Sequence, residues 1–362
     1  MTLDTHREEL AATATALARP GSGLLAADES TGTIGKRFAA IGVANSEEQR
    51  RAYRTLLATA PGLGESISGV ILYEETLFQD AATASSGGPP AGSILEHFRQ
   101  QGLVVGIKVD MGVEPLAGGL PGETWCTGLK GLQERAARYY TRGARFAKWR
   151  AVLRITADGC PSELAVRENA WGLARYARTV QEEGLVPIVE PEILMDGDHD
   201  ILTTAAVQEW VLRSVYDALG RNGVFLEGSL LKPSMTLPGA ECRQRPTPEQ
   251  AAAFTLRTMQ RCVPAAVPAI LFLSGGLSEE EASVFLNAIH QTAGTAPWHL
   301  GFSYGRAMQQ SCLKHWAGHD VTAGQKALLA RARANGQAAR GTYIAGSEPS
   351  DGKPLHEANY SY

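Results

Sequence analysis

The sequence predicts an α/β chain folded as a (β/α)8 TIM barrel, with an N-terminal helical extension and a flexible C-terminal tail. Three observations carry that expectation. Short apolar runs of β character recur eight times, helical patterns lie between most of them, and the runs are apolar almost throughout, as in a parallel sheet covered on both faces. Eight repeats favour a closed barrel over an open doubly wound sheet. No self-similarity marks a solenoid.

A helical segment ending near Arg19-Pro20 leads to the first strand, Leu24 to Ala27, which closes on Asp28. Further strands are expected at 69–73, 104–109, 146–153, 185–190, 224–231, 269–274 and 300–304. Ser46 with Gln49, Thr247 with Gln250, and Ser278 with Glu281 have the spacing of capping boxes at helix starts. Helical spacing also marks Gly131 to Tyr140, Ser162 to Glu182 and Thr203 to Ala218, and helices follow from Arg306. After about Gly346 the composition turns to Ser, Glu, Pro, Asp, Gly and Lys. The expected organisation is one barrel domain over 1–345 and a mobile tail over 346–362, ending in Tyr362.

Composition narrows the function. Lys+Arg 34 against Asp+Glu 38 gives a net charge of -4, so no bulk attraction to nucleic acid or an anionic membrane is implied. The five cysteines form no C-x-x-C pair, which argues against a disulfide framework and fits a reducing cytoplasm. The N-terminal residues lack a signal-peptide pattern, and no apolar run reaches membrane-spanning length.

Several motif scans fail. Gly21-Ser22-Gly23-Leu24-Leu25-Ala26 has the letters of a dinucleotide fingerprint but runs into a strand instead of leaving one. Asp196-Gly197-Asp198-His199-Asp200 starts like a calcium loop without its glycine or closing glutamate, so a turn cap is expected. His315 and His319 are four apart with no carboxylate partner, as solvated helix histidines are, and no metal site is expected.

The strand ends carry the chemistry. In a barrel of this type side chains from separate strands converge at the carboxyl ends, and alternate strand residues share a face. Asp28 closes the first run, Lys108 and Asp110 the third, Glu190 and Glu192 the fifth, Lys232 the sixth, and Ser274-Gly275-Gly276 the seventh; Lys148 and Arg150 lie in the fourth. Ser303, Gly305 and Arg306 end the eighth. A single such charge most often tidies a strand terminus as an ion pair. Several at one mouth are costly to bury unless paired and used. Lys232, at the end of the apolar run from Val224 to Leu231 and before Pro233, is the candidate nucleophile. Lys148 beside it would disfavour a second positive charge. Glu190 is the candidate proton carrier, and Glu192 supports the lysines' charge balance. Ser274-Gly275-Gly276 before a capped helix, with Arg306, suits one phosphate. Ser30, Thr33, Lys36, Arg37 and Lys108 suit a second on the opposite side, and Arg150 is a further candidate for binding the phosphorylated substrate.

The segments Leu226 to Ser234, Leu25 to Gly32, Gly106 to Asp110, Phe146 to Arg150, Val189 to Leu194, Phe272 to Gly276 and Phe302 to Arg306 resemble, in order, those of class I (Schiff-base) fructose-bisphosphate aldolases. The similarity spans essentially the whole chain, and the Lys232 segment is its most specific part. The resemblance implies reversible cleavage of fructose 1,6-bisphosphate to dihydroxyacetone phosphate and glyceraldehyde 3-phosphate, in glycolysis, gluconeogenesis or the Calvin cycle. Sedoheptulose 1,7-bisphosphate is an expected second substrate. It further implies that Lys232 forms the imine, assisted by Asp28, Lys148, Glu190 and Glu192, with no cofactor or metal. Ser274, Gly275 and Arg306 would hold the ketose-side phosphate, with Ser30, Thr33 and Lys108 toward the aldehyde-side one. The same resemblance singles out Tyr362 as a proton carrier to the enamine and implies a homotetramer. Leu277 stands where the family usually has glutamine, directly after the phosphate loop.

Overall fold

The computed structural model describes residues 3–82 and 92–358. Helix α1 (Leu3–Leu17) precedes strand β1 (Gly23–Ala27). Helices α2 (Thr31–Ala39) and α3 (Glu47–Ala58) lead to β2 (Ile67–Leu72), and α4 (Glu74–Phe78) and α5 (Ile94–Gln100) to β3 (Val104–Lys108). A hairpin of β4 (Val113–Pro115) and β5 (Thr124–Cys126) then precedes α6 (Leu132–Arg142), β6 (Phe146–Leu153) and α7 (Glu163–Glu182). Strand β7 (Val186–Ile193), α8 (Ile201–Arg221), β8 (Leu230–Leu231), α9 (Pro248–Cys262) and β9 (Ala269–Phe272) follow. The fold ends with α10 (Glu279–Ala293), β10 (His299–Tyr304), α11 (Arg306–Trp316) and α12 (Val321–Ala338).

Strands β1, β2, β3, β6, β7, β8, β9 and β10 pair in parallel and close into the expected barrel. The seam is the pairing of β1 with β10, in register at Leu24 with Ser303 and Leu25 with Tyr304. The hairpin was not foreseen: its strands are three residues each, too short for an alternating pattern to register.

Alternation within the strands sorts the side chains. Along β6, Phe146 packs inside the barrel, while Ala147, Trp149 and Ala151 join the layer under the helices. Trp149 stacks on Tyr176 of α7 at 5.3 Å between centroids. The interior layer is built from Leu24, Ala26, Ile71, Phe146, Val186, Ile188, Leu230 and Leu271, and Leu10, Ala14 and Leu17 of α1 pack against it. Helix α1 therefore stoppers the amino end, and Ser68 fastens it by donating to the Leu17 carbonyl at 2.9 Å. Charged groups remain for the other end.

Capping follows the sequence with one difference. Thr247 and Ser278 form reciprocal boxes with Gln250 and Glu281. Ser46 caps α3 by accepting from the Gln49 amide at 3.2 Å, a bond in one direction. Asp200 is the turn cap expected of its acidic run, accepting from the Thr203 amide at 2.8 Å.

The larger departure is before Lys232. The run 224–231 is strand only at Leu230–Leu231, and Leu226–Gly228 forms a 3-10 turn. A Cβ at Gly228 would meet Leu10 of α1 and the Phe225 ring at 2.8 Å, so the turn fits against the stopper helix because this residue is glycine. Gln181 of α7, fully buried, fixes the turn through the Phe225 and Gly228 carbonyls at 2.8 and 3.0 Å and the Phe225 amide at 3.0 Å. Lys232 rejoins the ladder, its amide donating to the Val189 carbonyl at 2.8 Å.

Candidate active site

Four neighbouring strands and the β1 end deliver the central charges. Lys148 points from β6 to Asp28, 2.8 Å away, and to Glu190 of β7 at 3.4 Å. The other Glu190 oxygen lies 3.1 Å from the Lys232 Nζ. Lys108 at the end of β3 contacts Asp110 at 2.7 Å, and that carboxylate also reaches Lys148 at 3.9 Å. Arg150 pairs with Glu192 at 2.5 Å. All of these side chains are buried, Lys148 completely and Lys232 at 2% exposure.

Burial alone would raise the carboxyl pKa values, because it penalises the charged form. At Asp28 the attraction of Lys148, Lys232 and Lys108 outweighs it and lowers the pKa to about 2. Burial also opposes ionisation of Glu192, but Arg150, with help from Arg306 and Lys232, holds its pKa below the ordinary value. Both groups are fixed anions at neutral pH. Expectation and geometry differ in one respect: Glu190 stands between the lysines, so they communicate through a carboxylate as well as through space.

A cavity at this mouth is lined by Asp28, Glu29, Arg37, Glu190, Glu192, Lys232, Leu273, Ser274, Gly275, Ser303, Gly305 and Arg306. Gly275 and Gly276 have φ of 59° and 99°, the left-handed backbone that turns β9 into α10 and that glycine adopts without strain. Ser303 is 1% exposed, and its hydroxyl has no hydrogen-bond partner among the described residues. A buried unsatisfied hydroxyl lining a cavity is a group waiting for a ligand.

Beyond the end of β1 Ser30 caps α2, accepting from the Thr33 amide at 3.2 Å, and the two hydroxyls lie 3.0 Å apart. Arg37 forms a short ion pair with Glu29, whose other oxygen holds Arg54 at 2.7 Å. Lys36 is exposed in the last turn of α2 and does not line the cavity. Tyr362 lies outside the described residues.

Sequence reasoning missed Glu29 and Arg54. Glu29 is buried beside Asp28 and also accepts from Gln309 of α11 at 2.9 Å, and burial opposes its ionisation while Arg37 and Arg54 win and lower its pKa. A signal existed for Arg54, which shares the apolar stripe of α3 with Leu57 and Ala58 at helical spacing. Also missed was the packing of the segment after α12. The Leu355 amide donates to the Gly276 carbonyl at 2.9 Å, and the Leu355 carbonyl accepts from Arg306 at 2.5 Å.

The arrangement suits an amine nucleophile served by an adjacent carboxylate, with cations and hydroxyls beside it that can anchor an anion. Comparison with known proteins agrees. A family model described as fructose-bisphosphate aldolase class-I matches residues 9–362. Fructose-bisphosphate aldolase 4, cytosolic, of Arabidopsis thaliana is 54% identical over 358 residues, covering 98% of this chain and 89% of the relative. A chloroplastic fructose-bisphosphate aldolase of Oryza sativa subsp. japonica is 52% identical over 360 residues, covering 99% and 90%. A solved structure of the fructose-bisphosphate aldolase from Plasmodium falciparum, in complex with TRAP and a small molecule inhibitor, superposes with a TM-score of 0.89 at 50% identity. That match covers 94% of this chain and 96% of the other.

Proposed function

The chain belongs to the class I fructose-bisphosphate aldolases, and from that premise we propose the role of each residue at the barrel mouth. The protein is a lyase that reversibly cleaves fructose 1,6-bisphosphate to dihydroxyacetone phosphate and glyceraldehyde 3-phosphate, by the metal-independent chemistry of its class. The observation that carries the residue assignment is the contact of the buried Lys232 amine with Glu190.

Lys232 Nζ adds to the ketose C2, and the carbinolamine loses water to give a protonated imine. Glu190, in reach of the amine and of Lys148, carries the protons of addition and dehydration. When the C3–C4 bond breaks, its electron pair flows into the imine as an enamine, and the C4 hydroxyl proton passes to Glu190, left as a carboxylate by the dehydration, as the aldehyde forms. Asp28, with a pKa of about 2, holds no proton at rest, and its task is to fix and balance Lys148. Glu192 does the same for Arg150. Tyr362 returns a proton to C3 of the enamine, and hydrolysis frees Lys232.

Ser274, Gly275, Gly276, Ser303, Gly305 and Arg306 take the ketose-side phosphate; the unsatisfied Ser303 hydroxyl supports this. Ser30, Thr33, Arg37 and Lys108 take the aldehyde-side phosphate, with Lys36 beyond them on the same helix. A homo-oligomer and a cytoplasmic setting complete the reading. The free state of all five cysteines is in keeping with a reducing compartment. No helix among the described residues is long and apolar enough to cross a membrane. Borohydride reduction in the presence of fructose 1,6-bisphosphate, followed by peptide mapping, should place the adduct on Lys232. An adduct elsewhere, or none, removes the assignment.

A further inference from the structure

Glu279, the first residue of α10, is fully buried yet contacts no part of the cavity. Its carboxylate accepts from the Ser311 amide at 2.8 Å, the Ser311 hydroxyl at 2.5 Å and the Asp351 amide at 2.9 Å. Two of these donors belong to α11, the helix that opens with Arg306, and the third belongs to the C-terminal segment. Arg331 of α12, also fully buried, donates to the Glu279 carbonyl at 2.6 Å and to the Pro349 carbonyl at 3.3 Å. Glu280 extends the same turn, accepting from the Tyr343 hydroxyl and the Gly346 amide, both at 2.8 Å. Directly before this turn is the glycine loop Ser274–Leu277, whose Gly276 carbonyl receives the Leu355 amide.

Phosphate loop, Arg306 helix and C-terminal segment are thus joined at one helical turn. We propose that Glu279, with Arg331 and Glu280, is a positioning residue that mounts the C-terminal segment on the turn carrying the phosphate loop and so sets the reach of Tyr362. The proposal rests on the reading of Tyr362 as proton carrier. The chemistry favours a fixed mount. A buried carboxylate needs its donors, and the Asp351 amide is one of the three that Glu279 accepts, so lifting the segment removes a bond made in the packed state. Seven residues lie beyond Leu355 and span at most roughly 25 Å at full extension, so the place where the mount holds Leu355 bounds how far the chain end can reach.

The test uses the full chain. Glu279→Gln, Arg331→Met and the milder Glu280→Gln are compared with a chain lacking Tyr362, after thermal melts confirm folding. Four quantities are read: kcat and KM for fructose 1,6-bisphosphate, exchange of the dihydroxyacetone phosphate C3 proton with solvent, borohydride trapping, and amide hydrogen exchange over 346–358. Mount variants should slow proton exchange and kcat by roughly tenfold to a hundredfold, the scale of a misplaced catalytic group. The ratio kcat/KM and the trapping should stay within a factor of about two, because imine formation and C3–C4 cleavage precede the tail's step, so KM falls together with kcat, and amides over 346–358 should exchange faster. Combining Glu280→Gln with loss of Tyr362 should add nothing to the loss of Tyr362 alone. If removing Tyr362 slows proton exchange while all three mount variants leave it unchanged, the mount is overturned and the tyrosine stands. If a mount variant slows the chain lacking Tyr362 just as much, its effect runs through the barrel and the proposal also fails. If removing Tyr362 leaves proton exchange intact, the tyrosine reading falls and takes the mount's positioning role with it.

Discussion

Lys232 Nζ lies 3.1 Å from one oxygen of Glu190, and the opposite oxygen of the same carboxylate faces Lys148 at 3.4 Å. One side chain is therefore placed to take a proton from the nucleophile and hand it on. Glu190→Gln preserves the shape and removes the base. Imine formation, followed by rapid-quench borohydride trapping, should slow by roughly 10²–10⁴-fold, the usual contribution of a positioned proton carrier. Trapping at the parental rate would assign the proton transfers to another group.

Arg306 offers a charged fork on the ketose side, and charge-assisted hydrogen bonds are each worth about 1.5–3 kcal/mol. Arg306→Ala should raise KM for fructose 1,6-bisphosphate by roughly tenfold to a hundredfold on that basis. Two partial substrates discriminate the ends: cleavage of fructose 1-phosphate should suffer, while binding of fructose 6-phosphate should be nearly unchanged. Equal losses for both would place Arg306 elsewhere in the reaction.

At the amino end of the barrel, His299 and His290 meet the Ser22 and Leu300 carbonyls at 3.2 and 2.7 Å. Burial, with a smaller push from His290, lowers the His299 pKa to about 4 against the opposing Ser22 hydrogen bond. Burial likewise lowers His290. The folded state thus resists protons that the unfolded chain accepts near pH 6.5, so stability falls as pH drops from 6.5 toward 4. Asp28 acts in a separate window, its stabilisation present above 3.8 and lost as pH falls through 2. Denaturant titrations at pH 7.5 and pH 4.5 should show a His299 contribution on the order of 2 kcal/mol. His299→Gln should flatten that part of the profile, and an unchanged slope would disprove it.

Gln181 satisfies three backbone groups of the turn that leads to the nucleophile. Gln181→Leu strands them in the interior at about 1–3 kcal/mol each, so a loss of roughly 3 kcal/mol or more is expected in urea unfolding. Residual folded protein should also trap substrate more slowly, since Lys232 hangs from that turn. Normal stability would show that the turn relaxes or admits water.

What the sequence disclosed follows from the range of the forces involved. Strand ends such as Asp28, Glu190 and Lys232 are legible because a polar residue closing an apolar run is a local pattern, and α1, α7 and α8 because helical periodicity is local too. The approach to Lys232 was misread as strand because apolar content alone cannot show that Gly228 must pass under Leu10. Glu29 and Arg54 are 25 residues apart, and Glu279 and Asp351 are 72 apart. Such partners meet only through the closed barrel, so nothing near either residue announces the other. Resemblance supplied Tyr362, which no local pattern would have chosen.

The seam between β1 and β10 also bears on how the enzyme is made. The first strand emerges from the ribosome with Asp28 at its end, yet its second neighbour is synthesised some 280 residues later. A chain that stops before His299 leaves β1 and β9 each with an unpaired edge beside an apolar interior, the form of surface that recruits other chains. It also lacks Ser303 and Arg306. Incomplete translation products should therefore be inert and prone to aggregate, and activity should arise in a nascent chain only when its last strand docks against its first.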